Sequence, residues 1–333
     1  MVMRKLVSIF RKSNDRFPCI NYAAVCFTKT PSSARRIHMY TRAAAVLRRK
    51  KKIVVIMGAT GCGKTKLAVD LASRFFPSSE IINSDKIQVY RGLDITTNKI
   101  PFADRRNVRH HLLGDFDPSD SHPEFTPSDF RASASSAVAH ILSRRRTPFV
   151  VGGSNSFVYA LLAERFNPES DVFAAESPDS AFCRELRYSC CFIWIDVSLP
   201  VLNRHLAKRV DHMLDSGMAD ELAEYFKNQR SDSVSQRGLK RAIGVPEFER
   251  YFKWGMGDVE EAVGAIKENT CQLAERQVGK ILRLRDAAGW ELKRVEATAA
   301  IRAAAEGGGG AADIWEREVV EPSVKIVKEF LME

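Results

Sequence analysis

The sequence has almost no acidic residues at its start, no C-x-x-C cysteine pair and no long apolar run. Residues 1–52 contain 14 lysines and arginines but a single acid, Asp15. Without C-x-x-C pairs a zinc site is not expected, and without a secretory signal the seven cysteines are expected to be reduced thiols. No apolar run approaches the length that spans a bilayer, so we predict no membrane segment.

The basic charge of the chain is concentrated at its start. The formal net charge is +10, yet beyond residue 52 the chain carries 37 basic and 40 acidic residues. A nearly neutral body argues against a broad surface for nucleic acid. The Arg-rich, acid-poor composition of residues 1–52 is typical of an organelle transit peptide, with the basic tail of a cytosolic protein as the alternative. Composition alone does not distinguish a plastid from a mitochondrial address.

Short apolar runs alternate with helical patterns over the first half of the chain. Four strands are predicted from "KKIVVIMG", "EIINSD", "TPFVVGGSNS" and "CFIWIDV", and a helix is predicted over Thr65–Phe75. From Pro200 onward the pattern predicts helices, the last one around Val324–Leu331 after the flexible "EGGGG". The expected division is a basic leader (1–52), an α/β core (53–200), a helical lobe completing the substrate channel (201–295) and a Gly-rich linker with a C-terminal helix (296–333).

A phosphate-binding loop lies between the first predicted strand and helix. The pattern Gly58-x-x-x-x-Gly63-Lys64-Thr65 matches in full. Its glycines let backbone N–H groups turn toward phosphate oxygens, Lys64 can neutralise the outer phosphates, and Thr65 can hold Mg²⁺ or a phosphate oxygen. The expected fold class is therefore α/β, a P-loop NTPase-like doubly wound parallel sheet with a smaller helical domain. The predicted binding residues of the loop are Gly58, Ala59, Thr60, Gly61, Cys62, Gly63, Lys64 and Thr65.

Two acidic residues end predicted strands. Asp85 follows "EIINS" and Asp196 closes "CFIWID", and in a parallel sheet such positions face the ligand crevice. Asp85 could bind Mg²⁺ or take a proton from a nucleophile, or it could only cap the next helix; we favour the functional interpretation. Asp196 resembles a Walker B acid, with a polar residue leaving a buried strand as an equal alternative.

Three further polar clusters allow more than one interpretation. His110 and His111 are adjacent and lack partner ligands for a metal, so we expect them to be structural or substrate-lining. Residues 204–212 carry basic side chains at helical spacing, as in a lid that clamps phosphates or as in a solvated helix face. Lys240 and Arg241 lie in a predicted turn entering a helix, where they could capture diphosphate oxygens.

Eight segments together closely resemble the plant adenylate isopentenyltransferases that make cytokinins. In chain order these are "GATGCGKTKLAVDLA", "INSDKIQVYRGLDITTNK", "HHLLGDFDP", "FTPSDF", "VVGGSNSF", "RVDHMLDSGMADEL", "RAIGVPEF" and "IKENTCQLAERQVGKILRL". They cover essentially Ile53–Leu284, and their joint occurrence is far more specific than the phosphate-binding loop alone. The tRNA dimethylallyltransferases are a sister group that shares the core and most motifs. The loop between Pro168 and Ser189 and the tail from Glu296 onward match no motif.

The resemblance implies a prenyltransferase that carries out the first step of cytokinin biosynthesis, in the plastid, with mitochondrion or cytoplasm as alternatives. In this family the loop grips the diphosphate of dimethylallyl diphosphate, and an adenine nucleotide accepts the five-carbon group on its exocyclic N6. Carried over by motif, Asp85 is the expected general base. Thr65, Lys64 and Arg241 are expected to hold the leaving diphosphate with Mg²⁺, and Lys240 and Lys267 are candidates for the acceptor phosphates. No obligate protein partner is expected.

A free nucleotide is the expected acceptor, ADP or ATP in preference to AMP. Three features make tRNA the less favoured partner: the nearly neutral body, the lack of a Cys/His zinc finger after the core, and the closer similarity of "NSDKIQVYRGLDITTNK" and "GGSNSF" to the adenylate group. The alternatives are a tRNA dimethylallyltransferase, then a small-molecule P-loop kinase using Asp85 for the substrate hydroxyl, then a non-catalytic nucleotide-binding module.

Overall fold

The structure is a computed structural model that describes residues 50–117, 124–228, 238–255, 257–307 and 310–333. The predicted transit peptide therefore lies almost wholly outside the described residues. Within them, six strands, numbered β1 to β6 along the chain, form one parallel sheet. Across the sheet their order is β3-β2-β4-β1-β5-β6. The predicted α/β fold with a parallel sheet is confirmed, and the four predicted strands are β1, β2, β4 and β5. The strands are β1 (Lys52–Gly58), β2 (Ser79–Asn83), β3 (His110–His111), β4 (Thr147–Gly152), β5 (Ser189–Asp196) and β6 (Leu292–Glu296).

Strand β1 lies between β4 and β5 at the centre of the sheet. Its Ile56 pairs with Val151 of β4 on one side and with Ile193 of β5 on the other. Alternate side chains of β1 enter opposite faces, so that Ile56 packs into one hydrophobic core and Met57 into a second. A β-branched run that is buried on both faces is what a central parallel strand requires.

Helices cover both faces of the sheet, as the predicted doubly wound fold requires. Helices α2 and α3 pack on one face, while α1, α4 and the C-terminal helices pack on the other. No helix among the described residues is both long and apolar enough to cross a membrane. The helices are α1 (Lys64–Asp70), α2 (Pro127–Ser143), α3 (Asn155–Leu162), α4 (Leu199–Asp215), α5 (Met218–Asn228), α6 (Val245–Trp254), α7 (Val259–Asp286), α8 (Thr298–Glu306), α9 (Ala311–Trp315) and α10 (Glu321–Met332).

A third hydrophobic cluster forms the smaller helical part of the molecule. Leu222 of α5, Phe248 of α6 and Ile266 of α7 are buried together. Tyr90 and Leu93, from the segment after β2, complete this cluster and connect it to the sheet. The helical part therefore adjoins the carboxyl end of β2, where Asp85 lies. The division into four segments given above stays a prediction.

The expectation of helices alone after Pro200 is wrong at Leu292–Glu296. These residues form β6, an edge strand parallel to β5, with Arg294 opposite Trp194. Only Val295 of β6 is buried, because an edge strand has one paired side and tolerates charged residues. The sequence "LKRVE" therefore lacks the apolar signature of the central strands. Beyond it, the predicted final helix is confirmed as α10, while part of the "EGGGG" linker, residues 308 and 309, lies outside the described residues.

Candidate active site

The phosphate-binding loop connects the end of β1 to the start of α1. Two of its glycines have left-handed backbone conformations, Gly61 with φ +79° and Gly63 with φ +88°. Residues with side chains rarely adopt such values, so the loop depends on glycine at both positions. The chain turns sharply there and enters α1 at Lys64, which directs the first amides of the helix toward the space beyond the sheet.

This loop forms one wall of a crevice of about 260 Å³. The crevice lies beyond the carboxyl ends of β1, β2 and β4, which is where ligands gather in doubly wound sheets. Polar side chains and backbone dominate its lining. The lining residues are Thr60, Gly61, Gly63, Lys64, Thr65, Lys66, Asn83, Asp85, Gln88, Asn98, Val151, Gly152, Gly153, His205, Arg209 and Gln277.

Lys64 and Thr65 both line the crevice, as a phosphate-binding loop requires. The Lys64 ammonium donates a 2.7 Å hydrogen bond to the Ala59 carbonyl oxygen and lies 4.0 Å from the Cys62 sulfur. Cys62 is fully buried in the core beneath the loop, and burial raises the pKa of its thiol. Its side chain is therefore a packing group, and Cys62 belongs to the loop through its backbone.

Asp85 lines the same crevice as Lys64 and Thr65. One carboxylate oxygen, Oδ1, accepts hydrogen bonds from the backbone N–H groups of Ile87 at 2.9 Å and Gln88 at 3.1 Å. Asp85 thus caps the turn that follows β2 and also lines the crevice. The structural interpretation, a capping residue, and the functional interpretation, a carboxylate that meets a ligand, are therefore compatible. Its second oxygen, Oδ2, makes no hydrogen bond to any residue that the structure describes, so it can receive a proton or a donor from a ligand.

Arg209 of α4 is a crevice residue that the sequence analysis did not separate from its basic neighbours. Its Nη2 donates to the Thr60 hydroxyl at 3.1 Å, while its buried Nε has no partner among the described residues. Burial lowers the pKa of Arg209 to about 10, and the guanidinium stays charged at neutral pH. A half-buried cation that has no carboxylate partner among the described residues attracts an anion.

The helical spacing of α4 explains why Arg209 and His205 line the crevice while Arg204 is exposed. Burial, together with the charges of Arg209 and His212, lowers the pKa of His205, so its imidazole is neutral at pH 7. His205 and Arg209 are four residues apart and flank the buried Leu206. The buried residues of α4 recur at helical spacing as Val201, Leu202, Leu206 and Val210. This apolar stripe was the signal in the sequence that could have identified the inward-facing residues.

Gln277 of α7 is a second residue that the sequence analysis missed. Its side-chain oxygen accepts a 2.7 Å hydrogen bond from the Thr60 backbone N–H, and its own carbonyl accepts one of 3.1 Å from Asn155. A Cβ atom built on Gly153 would lie only 2.5 Å from the Gln277 side-chain nitrogen. Gln277 therefore joins the loop to the turn after β4, and no local pattern in the sequence points to this contact.

Of the predicted loop residues, Gly58, Ala59 and Cys62 do not line the crevice. Outside the loop, three further predicted site residues do not line it: Lys240, Arg241 and Lys267. The Arg241 guanidinium is 70% exposed and lies 2.9 Å from the Glu124 carboxylate. The Lys267 ammonium lies 2.5 Å from the Asp211 carboxylate on α4. The charge of Arg241, after burial and the charge of Lys280, helps to lower the pKa of Lys86, the residue that follows Asp85. The roles given to these three residues stay predictions.

The remaining polar candidates have structural partners. Asp196 accepts a 2.7 Å hydrogen bond from Arg294 on β6, which favours the polar end of a buried strand over a Walker B acid. His111 lies 2.8 Å from the Glu80 carboxylate, and His110 lies 2.9 Å from the Val108 carbonyl oxygen. Both histidines belong to β3, at the edge of the sheet.

Known proteins similar to this chain are described as isopentenyltransferases. The family model described as "IPP transferase" matches residues 88–181 and 168–279. "Adenylate isopentenyltransferase" of Humulus lupulus is 53% identical over 300 residues, which cover 84% of this chain and 90% of that protein. "Adenylate isopentenyltransferase 1, chloroplastic" of Arabidopsis thaliana is 50% identical, with coverage of 86% and 82%.

Solved structures of proteins that act on tRNA share the fold. A eukaryotic dimethylallyltransferase acting on tRNA has a TM-score of 0.67 at 24% identity, with 85% of this chain and 80% of that chain covered. The tRNA isopentenylpyrophosphate transferase of Bacillus halodurans has a TM-score of 0.61 at 27% identity, with coverage of 79% and 97%. These proteins are less similar in sequence than the plant proteins described as acting on adenylate.

Proposed function

This chain belongs to the IPP transferase family, among the adenylate isopentenyltransferases, and from that premise we propose that it transfers the dimethylallyl group of dimethylallyl diphosphate to N6 of adenine in ADP or ATP. The reaction releases pyrophosphate and is the first step of cytokinin biosynthesis. The observation that carries the proposal is that the phosphate-binding loop and the Asp85 carboxylate face one crevice. The loop suits a diphosphate, and Asp85 suits the amine that displaces it.

The loop side of the crevice is suited to hold the leaving diphosphate. Negative charge grows on the bridging oxygen as the allylic C1–O bond breaks. Backbone N–H groups of the loop and the half-buried Arg209 guanidinium would meet that charge, and the Lys64 ammonium would reach it by giving up its hydrogen bond to the Ala59 carbonyl oxygen. Interactions that strengthen in this way in the transition state accelerate the reaction more than they tighten substrate binding.

Asp85 is suited to the acceptor side of the reaction. The N6 amine of adenine is a poor nucleophile, because its lone pair is delocalised into the ring. A carboxylate oxygen that accepts a hydrogen bond from N6–H would orient the amine and take its proton as the N6–C1 bond forms. The turn hydrogen bonds to Oδ1 hold the Asp85 carboxylate in place while Oδ2 is available for the amine.

The donor set of the crevice fits Mg²⁺. This ion prefers oxygen ligands and usually binds one or two protein groups together with substrate phosphates and water. The Thr65 hydroxyl is the protein ligand that we propose, and the Asp85 carboxylate lines the same crevice. Bound there, the ion would offset the charge of the diphosphate.

Arg241 would join the diphosphate by exchanging its present partner. Its ion pair with Glu124 is largely exposed on the arginine side, and such surface pairs contribute only about 0–1 kcal/mol. A diphosphate offers the guanidinium two or more oxygens and a larger charge, which favours the exchange. Lys240 and Lys267 are proposed for the acceptor phosphates because their side chains are basic.

A free nucleotide is proposed as the acceptor in preference to tRNA. The similar proteins named for adenylate are 42–53% identical to this chain, whereas the solved structures of proteins that act on tRNA are 24% and 27% identical. The proposed location is the plastid. Arabidopsis relatives are described as chloroplastic, and one at 42% identity as mitochondrial.

One incubation tests the proposal against its alternatives. The purified protein is given dimethylallyl diphosphate and Mg²⁺ with AMP, ADP, ATP or tRNA in turn, and the products are identified by mass spectrometry. We expect prenylated ADP and ATP together with pyrophosphate. Prenylated tRNA alone would support the tRNA alternative, and ADP with a phosphorylated acceptor would support a kinase.

A further inference from the structure

We propose that Trp315, in the C-terminal tail, is a positioning residue that holds Gly63 of the phosphate-binding loop in its binding conformation. The proposal rests on the proposed function in one respect, since it takes the loop to be the site of a diphosphate. The tail after Glu296 matches no motif of the family resemblance, and the family model ends at residue 279. Nothing in the sequence therefore assigns the tail a role near the loop.

The indole ring of Trp315 lies directly against Gly63. A Cβ atom built on Gly63 would come within 2.5 Å of the ring atom Cη2 and 2.9 Å of Cζ3. The ring therefore occupies the space where a side chain would stand, and Gly63 cannot shift toward it. Because Gly63 has φ +88° and immediately precedes α1, its conformation sets the direction of the amides that follow.

Trp315 is itself held by α1, the helix that begins with the loop. Its indole N–H donates a 3.0 Å hydrogen bond to Asp70, and the Lys66 ammonium lies 4.2 Å from the centre of its ring. Trp315 is 5% exposed and Asp70 is 3% exposed. A buried hydrogen bond to a carboxylate and a cation over the ring face both restrict the orientation of the indole.

A second contact attaches the tail to the same helix. Arg74 donates two hydrogen bonds to the Glu316 carboxylate, at 2.7 and 2.8 Å. Both residues lie in five-residue π-helical turns, Leu71–Phe75 after α1 and Glu316–Val320 after α9. Such turns are rare and frequently occur at functional sites. The tail is thus fixed at two adjacent residues, Trp315 to Asp70 of α1 and Glu316 to Arg74 in the π-helical turn that continues α1.

Trp315 acts through Gly63 and would not touch the diphosphate. It lines a separate cavity of about 630 Å³ between the loop and the tail, and it does not line the crevice. Gly61 and Gly63 line both spaces, as do Lys66 of α1 and His205 of α4, so the loop forms part of the wall between them. Without the indole, the loop could relax into this cavity, and its N–H groups would lose the alignment that a diphosphate needs.

The experiment compares pyrophosphate binding by four full-length proteins: wild type, Trp315→Leu, Trp315→Phe and a matched control, Val327→Ala. Val327 is fully buried in α10 and belongs to the same hydrophobic cluster as Trp315, but it lines neither cavity. The dissociation constant of pyrophosphate with Mg²⁺ is measured by calorimetry, and folding is checked by circular dichroism and thermal unfolding. The KM values of dimethylallyl diphosphate and of the nucleotide are measured separately.

We expect Trp315→Leu to weaken pyrophosphate binding by about tenfold to a hundredfold, since small displacements of binding groups have effects of this size. The KM of dimethylallyl diphosphate should rise while that of the nucleotide stays within about twofold, a split that a general loss of stability would not produce. Val327→Ala should lose stability but bind pyrophosphate as the wild type does. Trp315→Phe keeps a ring against Gly63 and should bind more tightly than Trp315→Leu.

Tryptophan fluorescence gives an independent readout. Pyrophosphate should change the emission of the wild type, and Trp315→Phe, which retains the other three tryptophans, should lack that change.

The inference is overturned if Trp315→Leu binds pyrophosphate like the wild type, if Val327→Ala weakens binding equally, or if the wild type does not bind pyrophosphate. If Trp315→Leu does not fold, the pyrophosphate affinity of Trp315→Phe and its fluorescence change on adding pyrophosphate are compared with those of the wild type. The inference is overturned if both equal the wild-type values. Failure of prenyl transfer with pyrophosphate binding intact would instead contradict the proposed function.

Discussion

The side-chain oxygen of Gln277 accepts a 2.7 Å hydrogen bond from the backbone N–H of Thr60, across 217 residues of sequence. This contact ties the longest helix of the described chain to the phosphate-binding loop. The guanidinium of Arg209 reaches the hydroxyl of the same threonine at 3.1 Å. Thr60 is therefore held on its backbone by α7 and on its side chain by α4, and the loop depends on helices that follow it far along the chain.

Gln277→Leu is expected to reduce prenyl transfer about tenfold. Leucine has a similar size but cannot accept a hydrogen bond from the Thr60 N–H, and the loss of one such hydrogen bond costs about 0.5–1.5 kcal/mol. The loop should relieve that cost by moving, which raises the KM of dimethylallyl diphosphate. Steady-state kinetics would measure it. Gln272→Leu, at an exposed position of the same helix, is the control, and equal effects of the two variants would contradict the prediction.

Asp85→Asn is expected to lower kcat by about 10²–10⁴, the range typical of a lost general base. The asparagine oxygen can still accept the hydrogen bonds from Ile87 and Gln88, so the turn and the melting temperature should be preserved. Single-turnover measurements with ATP would report the chemical step directly. Asp104→Asn changes an exposed acid and should leave the rate unaltered. A wild-type rate for Asp85→Asn would rule out proton transfer to this carboxylate.

Arg209→Gln is expected to weaken pyrophosphate binding more than Arg204→Gln does, although both residues belong to α4. Arg209 is a half-buried cation beside the loop, and Arg204 is exposed to solvent. Removal of one donor to the developing anion commonly lowers kcat by about 10²–10³, and we expect an effect of this size on prenyl transfer by Arg209→Gln. Calorimetry and kcat/KM for dimethylallyl diphosphate would measure the difference. Similar values for the two variants would mean that Arg209 does not contact the diphosphate.

Arg241→Ala tests whether an exposed arginine joins the reaction. Despite its present pairing with Glu124, we expect kcat to fall by about 10²–10³, because the variant removes one donor to the leaving group. Stability should change little, since the ion pair is exposed. Arg250→Ala, an exposed position on α6, serves as the comparison. Near-normal turnover of Arg241→Ala would show that the ion pair with Glu124 is the whole role of this residue.

The buried Glu80 carboxylate makes stability depend on acid pH. Burial opposes its ionisation, but hydrogen bonds from Arg144 and His111 outweigh burial and lower its pKa to about 2 from an ordinary 4.5. A pKa lowered by folding contributes stability that is present above pH 4.5 and is lost as the pH falls toward 2, about 3 kcal/mol in total. The free energy of unfolding should be measured between pH 2 and 7. It should decrease steeply as the pH is lowered from 4.5 toward 2.

Glu80→Gln should have a lower free energy of unfolding at neutral pH and a shallower slope between pH 4.5 and 2. Glu321→Gln, at an exposed position, should keep the wild-type slope. Identical slopes for Glu80→Gln and the wild type would assign the acid sensitivity to other groups.

Much of the fold could be predicted from the sequence because the signals are local. The β-branched run of β1 and the glycine spacing of the loop act over fewer than ten residues, and both were found. Strand β6 was not, because a half-exposed edge strand has no continuous apolar run. Asp85 was identified because carboxyl ends of parallel strands converge by topology, which needs no knowledge of distant contacts.

The sequence by itself determined the central sheet strands, the phosphate-binding loop and the family, since short-range periodicity and motif order encode them. Only the tertiary structure decided that Arg209 faces the crevice while Arg204 faces solvent, that Gln277 holds Thr60, and that the tail places Trp315 against Gly63. These contacts join residues 149, 217 and 252 positions apart. Their existence depends on how helices pack against the loop, which no local pattern specifies.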